Sequence, residues 1–271
     1  MASAAAFFDL DRTLMTGSSA YYFGKACYRE GLLPLPRLLA DGASGVRFRL
    51  FGASDERSEA LRDRILASVA GHEAETFHRL APQAIEEILP RITPQAQALL
   101  DMHTEAGREV WIISASPVEI VAEIARALDL DGGLGTESEI ADGVYTGELA
   151  GPFCYGEGKA EVIRRLVAER GYDLQSSYAY SDSASDLPMM HLVGNPVAVN
   201  PDRPMLAVAH ARGWPVVEFN RQSKRVLRLA SAAAASTATA GAGYAIGRRQ
   251  GRRRAQAQRL AAQPVRLLRG G

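Results

Sequence analysis

The chain reads as an α/β protein: a doubly wound parallel sheet between layers of helices, with a small inserted helical cap. Three observations predict this. Short apolar runs ending in small polar or acidic residues recur along the chain. Helical segments separate them, as the crossovers of a parallel sheet require. A block with no such run lies between the first and the rest.

Residues 4–9 are a short apolar run ending in a carboxylate, which suits a buried strand emerging at a sheet edge. Residues 14–90 hold no comparable strand. They read as helices broken at Pro34, Pro36, Gly42, Gly52, Gly71 and Pro82, with Leu61, Ile65, Leu66 and Val69 at helical spacing. A strand follows at 109–114, then a helix at 118–128 opened by Pro117. Residues 135–149 alternate and turn at Asp142-Gly143, a hairpin signal. A helix at 159–170 ends at Gly171. Next come a strand at 177–181, a helix at 185–192, and strands at 196–200 and 215–219 flanking a helix through His210. The expected domains are a catalytic core of 1–14 and 91–219, a helical cap of 15–90, and a tail of 220–271.

Apolar residues at 47% and charged residues at 23% of 271 argue against wholesale disorder. Cys27 and Cys154 form neither a metal spacing nor a disulfide framework, and a reducing cytoplasm is the expected compartment. The apolar start is too short for a signal peptide. His72, His78, His103, His191 and His210 show no zinc or triad spacing and read as packing or surface residues. Net charge is zero, yet 12 of the 31 basic residues follow Glu218 and none of the 31 acidic ones does. An acidic body thus carries a basic tail. Within the tail, residues 229–247 are uncharged and about 29 Å long as a helix. They are mostly Ala, Gly, Ser and Thr, which gain little on membrane insertion. A small-residue helix or linker is the preferred reading, with weak contact to a membrane or anionic surface and no specific nucleic acid partner.

Ligands of open α/β sheets bind where the strands end. Four groups fall there: Asp9-Leu10-Asp11-Arg12-Thr13, Ser114 after the second strand, Lys159 at a helix start, and the segment from Ser181 and Asp182 to Asp186. Singly, each is explained as well by a turn or helix cap. Together they suit phosphoryl transfer, where catalysis is largely positioning and charge neutralisation. Asp9 suits a covalent nucleophile, and Asp11 an acid/base. Mg²⁺ takes oxygen ligands, often one or two carboxylates with phosphate and water. Asp9 and Asp182 suit that role, with Asp186 in support. Ser114 and Lys159 suit the phosphoryl oxygens, whereas Ser116 reads as a helix cap before Pro117. Gly156 and Gly158 allow close backbone approach beside Lys159.

This ordered set resembles the haloacid dehalogenase (HAD) superfamily, and the helical insertion resembles its phosphoserine-phosphatase-like branch, subfamily IB. The resemblance implies a Rossmann-like core and Mg²⁺-dependent hydrolysis of a phosphorylated small molecule through an aspartyl-phosphate. It implies Asp9 as nucleophile, Asp11 as acid/base, Ser114 and Lys159 as phosphate grip, and Asp182 as metal ligand. It further implies that Asp9 and the Asp11 carbonyl complete the metal site and that Asp186 is an accessory acid. Ser18 stands where phosphoserine phosphatases carry the glutamate that pairs with the substrate ammonium, which argues against free phosphoserine. Arg47 and Arg49 are candidates for binding an anionic substrate from the cap. The alternatives are a phosphotransferase using the same aspartyl-phosphate, or a non-catalytic regulatory or binding protein on the same scaffold.

Overall fold

The computed structural model of the chain describes residues 3–33 and 55–219. Pro34, Pro36, Gly42, Arg47, Arg49, Gly52 and the tail from 220 lie outside the described residues. In chain order the strands are β1 (Ala5–Phe8), β2 (Glu109–Pro117), β3 (Gly132–Thr136), β4 (Ser138–Ala141), β5 (Val144–Leu149), β6 (Tyr178–Ser181), β7 (Asn195–Val199) and β8 (Val216–Val217). All but β4 and β5 join one sheet in the order β3-β2-β1-β6-β7-β8, and every pairing in it is parallel. Successive strands run outward from β1 to β3 on one side and from β6 to β8 on the other. The direction reverses between β1 and β6, and a crevice opens beyond their carboxyl ends.

The apolar run at the start of the chain is explained by this central position. Ala6 and Phe8 face one hydrophobic core while Ala5 and Phe7 face the other, and all four are fully buried. Side chains alternate across a strand, so a strand covered on both faces must be apolar at every position. Burying each phenylalanine contributes about 1.5–3 kcal/mol.

Between β1 and β2 lie α1 (Ser19–Arg29), α2 (Asp55–Val69), α3 (Ala74–Ile88) and α4 (Pro94–Glu105). The helical insertion leaves and re-enters the sheet through one neck. There the Thr16 N–H donates to the Arg91 carbonyl (3.0 Å), and the Thr93 N–H donates to the Leu14 carbonyl (3.1 Å). Phe23 of α1 meets Phe77 of α3, and Glu87 of α3 accepts from Lys25 and Arg29 of α1. The chain turns at Gly71 as expected, but Pro82 does not break its helix: α3 continues through it. Leu80, Ala81, Ala84 and Ile85 are buried on both sides of the proline, so packing holds the helix where the missing N–H weakens it.

The remaining helices are α5 (Val118–Ala127), α6 (Glu157–Arg170), α7 (Leu187–Met190) and α8 (Arg203–Arg212). The expected helix at 185–192 shrinks to a 3₁₀ turn and the single turn of α7, and the last strand shrinks to two residues. The hairpin turns at Asp142 and Gly143, both with positive φ, but its first arm begins at Ser138. Gly135 and Thr136 belong instead to β3, an edge strand of poor strand-forming composition. Its glycines answer a packing demand: a Cβ on Gly132 would lie 2.3 Å from the Trp111 ring.

Candidate active site

Asp9 follows β1 and Asp182 follows β6, on the two strands that border the crevice. A backbone hydrogen bond from the Asp9 N–H to the Tyr180 carbonyl (2.9 Å) holds the two strand ends in step. Lys159 enters from the first turn of α6. Its Nζ donates to Asp9 Oδ1 at 2.5 Å and to Asp186 Oδ2 at 2.8 Å, and all three groups are buried. Asp186 also accepts from the Ser181 hydroxyl (2.7 Å). The approach of α6 depends on Gly158, where a Cβ would fall 1.8 Å from the Phe153 carbonyl oxygen. Four of the residues singled out in the sequence, Asp9, Lys159, Asp182 and Asp186, therefore meet at one end of the sheet.

Asp11 turns toward the cap. Its Oδ1 accepts the Ser19 N–H at 2.8 Å, so the carboxylate caps the positive end of α1. Ser114 lies inside β2 rather than beyond it, where the β2–β3 register breaks between Ile113 and Pro117. Its buried hydroxyl accepts the Ser116 N–H at 3.2 Å. Ser116 does not cap the following helix. Its hydroxyl shares a 2.7 Å hydrogen bond with the Ser19 hydroxyl, tying β2 to the first cap helix.

The electrostatics follow from burial. Loss of water raises Asp9 above the ordinary carboxylate range, opposed by Lys159 and reinforced by Asp186. Asp182 is also raised by burial and by the charge of Asp9, and held back by Arg12. Asp11 is raised chiefly by burial, with the Ser19 hydrogen bonds pulling it down. Burial opposes the charge on Lys159, but Asp186 and Asp9 outweigh it and keep the ammonium protonated. Cys154 beneath the site is pushed up to about 12 by burial, which makes it an inert thiol at neutral pH.

Three participants have no role in the sequence reading: Arg12 and Ser181, which lie in the motifs at the strand ends and here pair with Asp182 and donate to Asp186, and Ser19, which the motifs do not include. Ser19 follows Ser18 at the head of a helical pattern, and that position was the available signal. Among the described residues, no group of three His, Cys, Asp or Glu side chains is arranged to hold a metal ion, and none of the helices is long and apolar enough to cross a membrane.

Sheet order, acidic groups at the reversal point and an inserted helical unit together define a doubly wound α/β protein with a buried acidic cluster at its carboxyl edge. The sequence pattern of haloacid dehalogenase-like hydrolases matches residues 6–191. A probable phosphatase of Mycobacterium tuberculosis is 41% identical over 221 residues, covering 81% of this chain and 77% of that protein. The phosphoserine phosphatase SerB1 of the same organism is 38% identical over 229 residues, covering 84% of this chain and 74% of its own. A solved phosphoserine phosphatase bearing a phospho-aspartyl intermediate analogue shares the fold. Its TM-score is 0.59 at 19% identity, over 84% of this chain and 99% of that one. The chain belongs to the haloacid dehalogenase-like hydrolase family, among its phosphoserine-phosphatase-like members, and is a phosphatase of that type.

Proposed function

We propose that this enzyme hydrolyses a small phosphomonoester in the presence of Mg²⁺, by way of an aspartyl-phosphate on Asp9. The observation that carries this reading is the Lys159 ammonium lodged between Asp9 and Asp186, at 2.5 and 2.8 Å, at the end of the central strand. It orients the Asp9 carboxylate and offers a cation to phosphoryl oxygens.

In the first step an Asp9 oxygen bonds to phosphorus and the ester P–O bond breaks. The leaving oxygen takes the proton of Asp11, whose raised pKa suits an acid that must arrive protonated. Water then attacks phosphorus and gives its proton to Asp11. The bond to Asp9 breaks, inorganic phosphate leaves, and both carboxyl groups regain their starting states. Ser114 and Lys159 grip the non-bridging oxygens. The donor set fits Mg²⁺: hard oxygens from the carboxylates of Asp9 and Asp182 and the main-chain carbonyl of Asp11, in a buried site where acid charges raise one another. When bound, the ion neutralises charge on the phosphoryl oxygens.

Residues 15–90 act as a cap that closes over the substrate and excludes water. The support is the single neck and the Ser19 contacts, through which the first cap helix orients Asp11 and touches Ser116. Both cysteines are buried free thiols, which suits a reducing cytoplasm.

The test is phosphate release from a panel of phosphoserine, phosphorylated amino alcohols, sugar phosphates, nucleoside monophosphates and phosphorylated lipid headgroups. The parent protein turns over at least one of them with Mg²⁺ and stops on chelation. Asp9→Asn loses at least about a thousandfold in kcat, as removal of a covalent nucleophile requires. Full activity in that variant removes Asp9 as nucleophile, and transfer to an added alcohol in place of phosphate release makes the enzyme a phosphotransferase.

A further inference from the structure

Arg12 stands between the proposed acid/base Asp11 and Thr13, and three observations single it out. Its φ is +67°, a left-handed backbone that side-chain-bearing residues adopt reluctantly and that tends to gather at functional sites. The loop holds it there, with its N–H donating to the Met15 carbonyl at 2.8 Å. Its guanidinium lies 2.9 Å from Asp182 Oδ2, with the arginine side chain 38% exposed and the aspartate 5% exposed. Charge in the site is thereby divided. Lys159 serves Asp9 and Asp186, while Arg12 is the sole ion-pair partner of Asp182 among the described residues.

We propose that Arg12 is a resident counter-ion that competes with Mg²⁺ for Asp182. This inference rests on the reading of Asp182 as a metal ligand. A buried carboxylate needs a cation nearby to stay ionised, and Arg12 supplies one that reaches in from the mouth of the crevice. A divalent ion bound to Asp182 meets that guanidinium at a few ångströms. The arginine must release Oδ2, or remain and repel the ion. Its half-exposed side chain has solvent to move into, so release does not disturb the core. The consequence is a metal site that stays filled by a side chain at low Mg²⁺ and holds the ion less tightly than its oxygen donors alone would.

The experiment is calorimetric titration of MgCl₂ into the chelator-stripped full chain, with no substrate present. The proteins are the parent, Arg12→Gln, Arg12→Gly and Asp182→Asn. Arg12→Gln removes the charge and keeps the backbone strain, whereas Arg12→Gly removes both. Both arginine variants are expected to lower the Mg²⁺ Kd on the order of tenfold, from the lost ion pair and the lost repulsion together. The Mg²⁺-induced rise in melting temperature should grow in parallel. An unchanged Kd in Arg12→Gln overturns the proposal, as does tightening in Arg12→Gly alone, since that assigns the effect to the backbone. If the parent takes up no Mg²⁺, or Asp182→Asn binds it as well as the parent, the metal reading itself fails.

Discussion

Lys159→Met tests whether the charge cluster is what holds the site together. Methionine keeps most of the buried stem and removes the ammonium, leaving Asp9 and Asp186 buried with no cation between them. Removing one partner of a buried ion pair costs about 3–5 kcal/mol, because the remaining charge stays desolvated. That loss is expected in metal-free protein at about pH 8. The pH dependence supplies the sign. Burial already raises Asp9 in the parent, and without the opposing Lys159 charge its carboxyl titrates still higher above its value in the unfolded chain. The folded form then holds a proton that the unfolded form has already released, so acid favours folding. The deficit relative to the parent shrinks as pH falls toward about 5, by about 1.4 kcal/mol per unit for each proton taken up. Urea unfolding followed by fluorescence of the buried Trp111, with EDTA present, measures it. Adding Asp186→Asn to the variant should return part of the loss. A deficit below about 1 kcal/mol at the upper pH, or one that ignores pH, would refute the account of the cluster as an electrostatic unit.

Two other perturbations reach the scaffold. His103 is fully buried and its pKa is pushed down to about 3 by burial and the nearby Arg108 charge. Its Nδ1 accepts from Arg108 Nε (2.7 Å), so Nε2 carries the proton and donates to the Tyr180 hydroxyl (2.7 Å). The unfolded histidine takes a proton near its usual value and the folded one does not, so stability drops as pH falls through about 6.5. About 2 kcal/mol goes between pH 7 and 5. Denaturation curves of His103→Gln should lack this component, and parallel pH profiles for the two proteins would contradict it. Gly158→Ala puts a Cβ 1.8 Å from the Phe153 carbonyl oxygen, so α6 must shift and carry Lys159 with it. A melting-curve loss of about 3 kcal/mol and at least about a tenfold drop in kcat/KM are expected, and unchanged kinetics would show that the helix start tolerates the methyl.

How much was legible in the amino acids follows from the range over which each feature is decided. The apolar strands, the Asp142-Gly143 turn and the Gly171 helix end are written in a few adjacent residues, because turn geometry and strand burial act locally. The edge strand at Gly132–Thr136 was not legible, since its glycines answer to Trp111 and the neighbouring α5 rather than to strand propensity. Pro82 misled for the converse reason: tertiary packing carries the helix past a residue that would break it in isolation.

The site divides in the same way. Motifs at strand ends were enough to single out Asp9, Asp11, Asp182 and Asp186 as candidates, because a sheet presents whatever follows its strands at one edge, whereas Ser114 lies within β2 and Lys159 comes from a helix. Which of them touch was settled only by the folded chain. Lys159 reaches Asp9 across 150 positions, Ser116 meets Ser19 across 97, and Arg12 turns onto Asp182. Spacing along a chain constrains neighbours within a turn or a strand. Contacts between distant segments depend on how the helices pack across the sheet, and no local pattern encodes that.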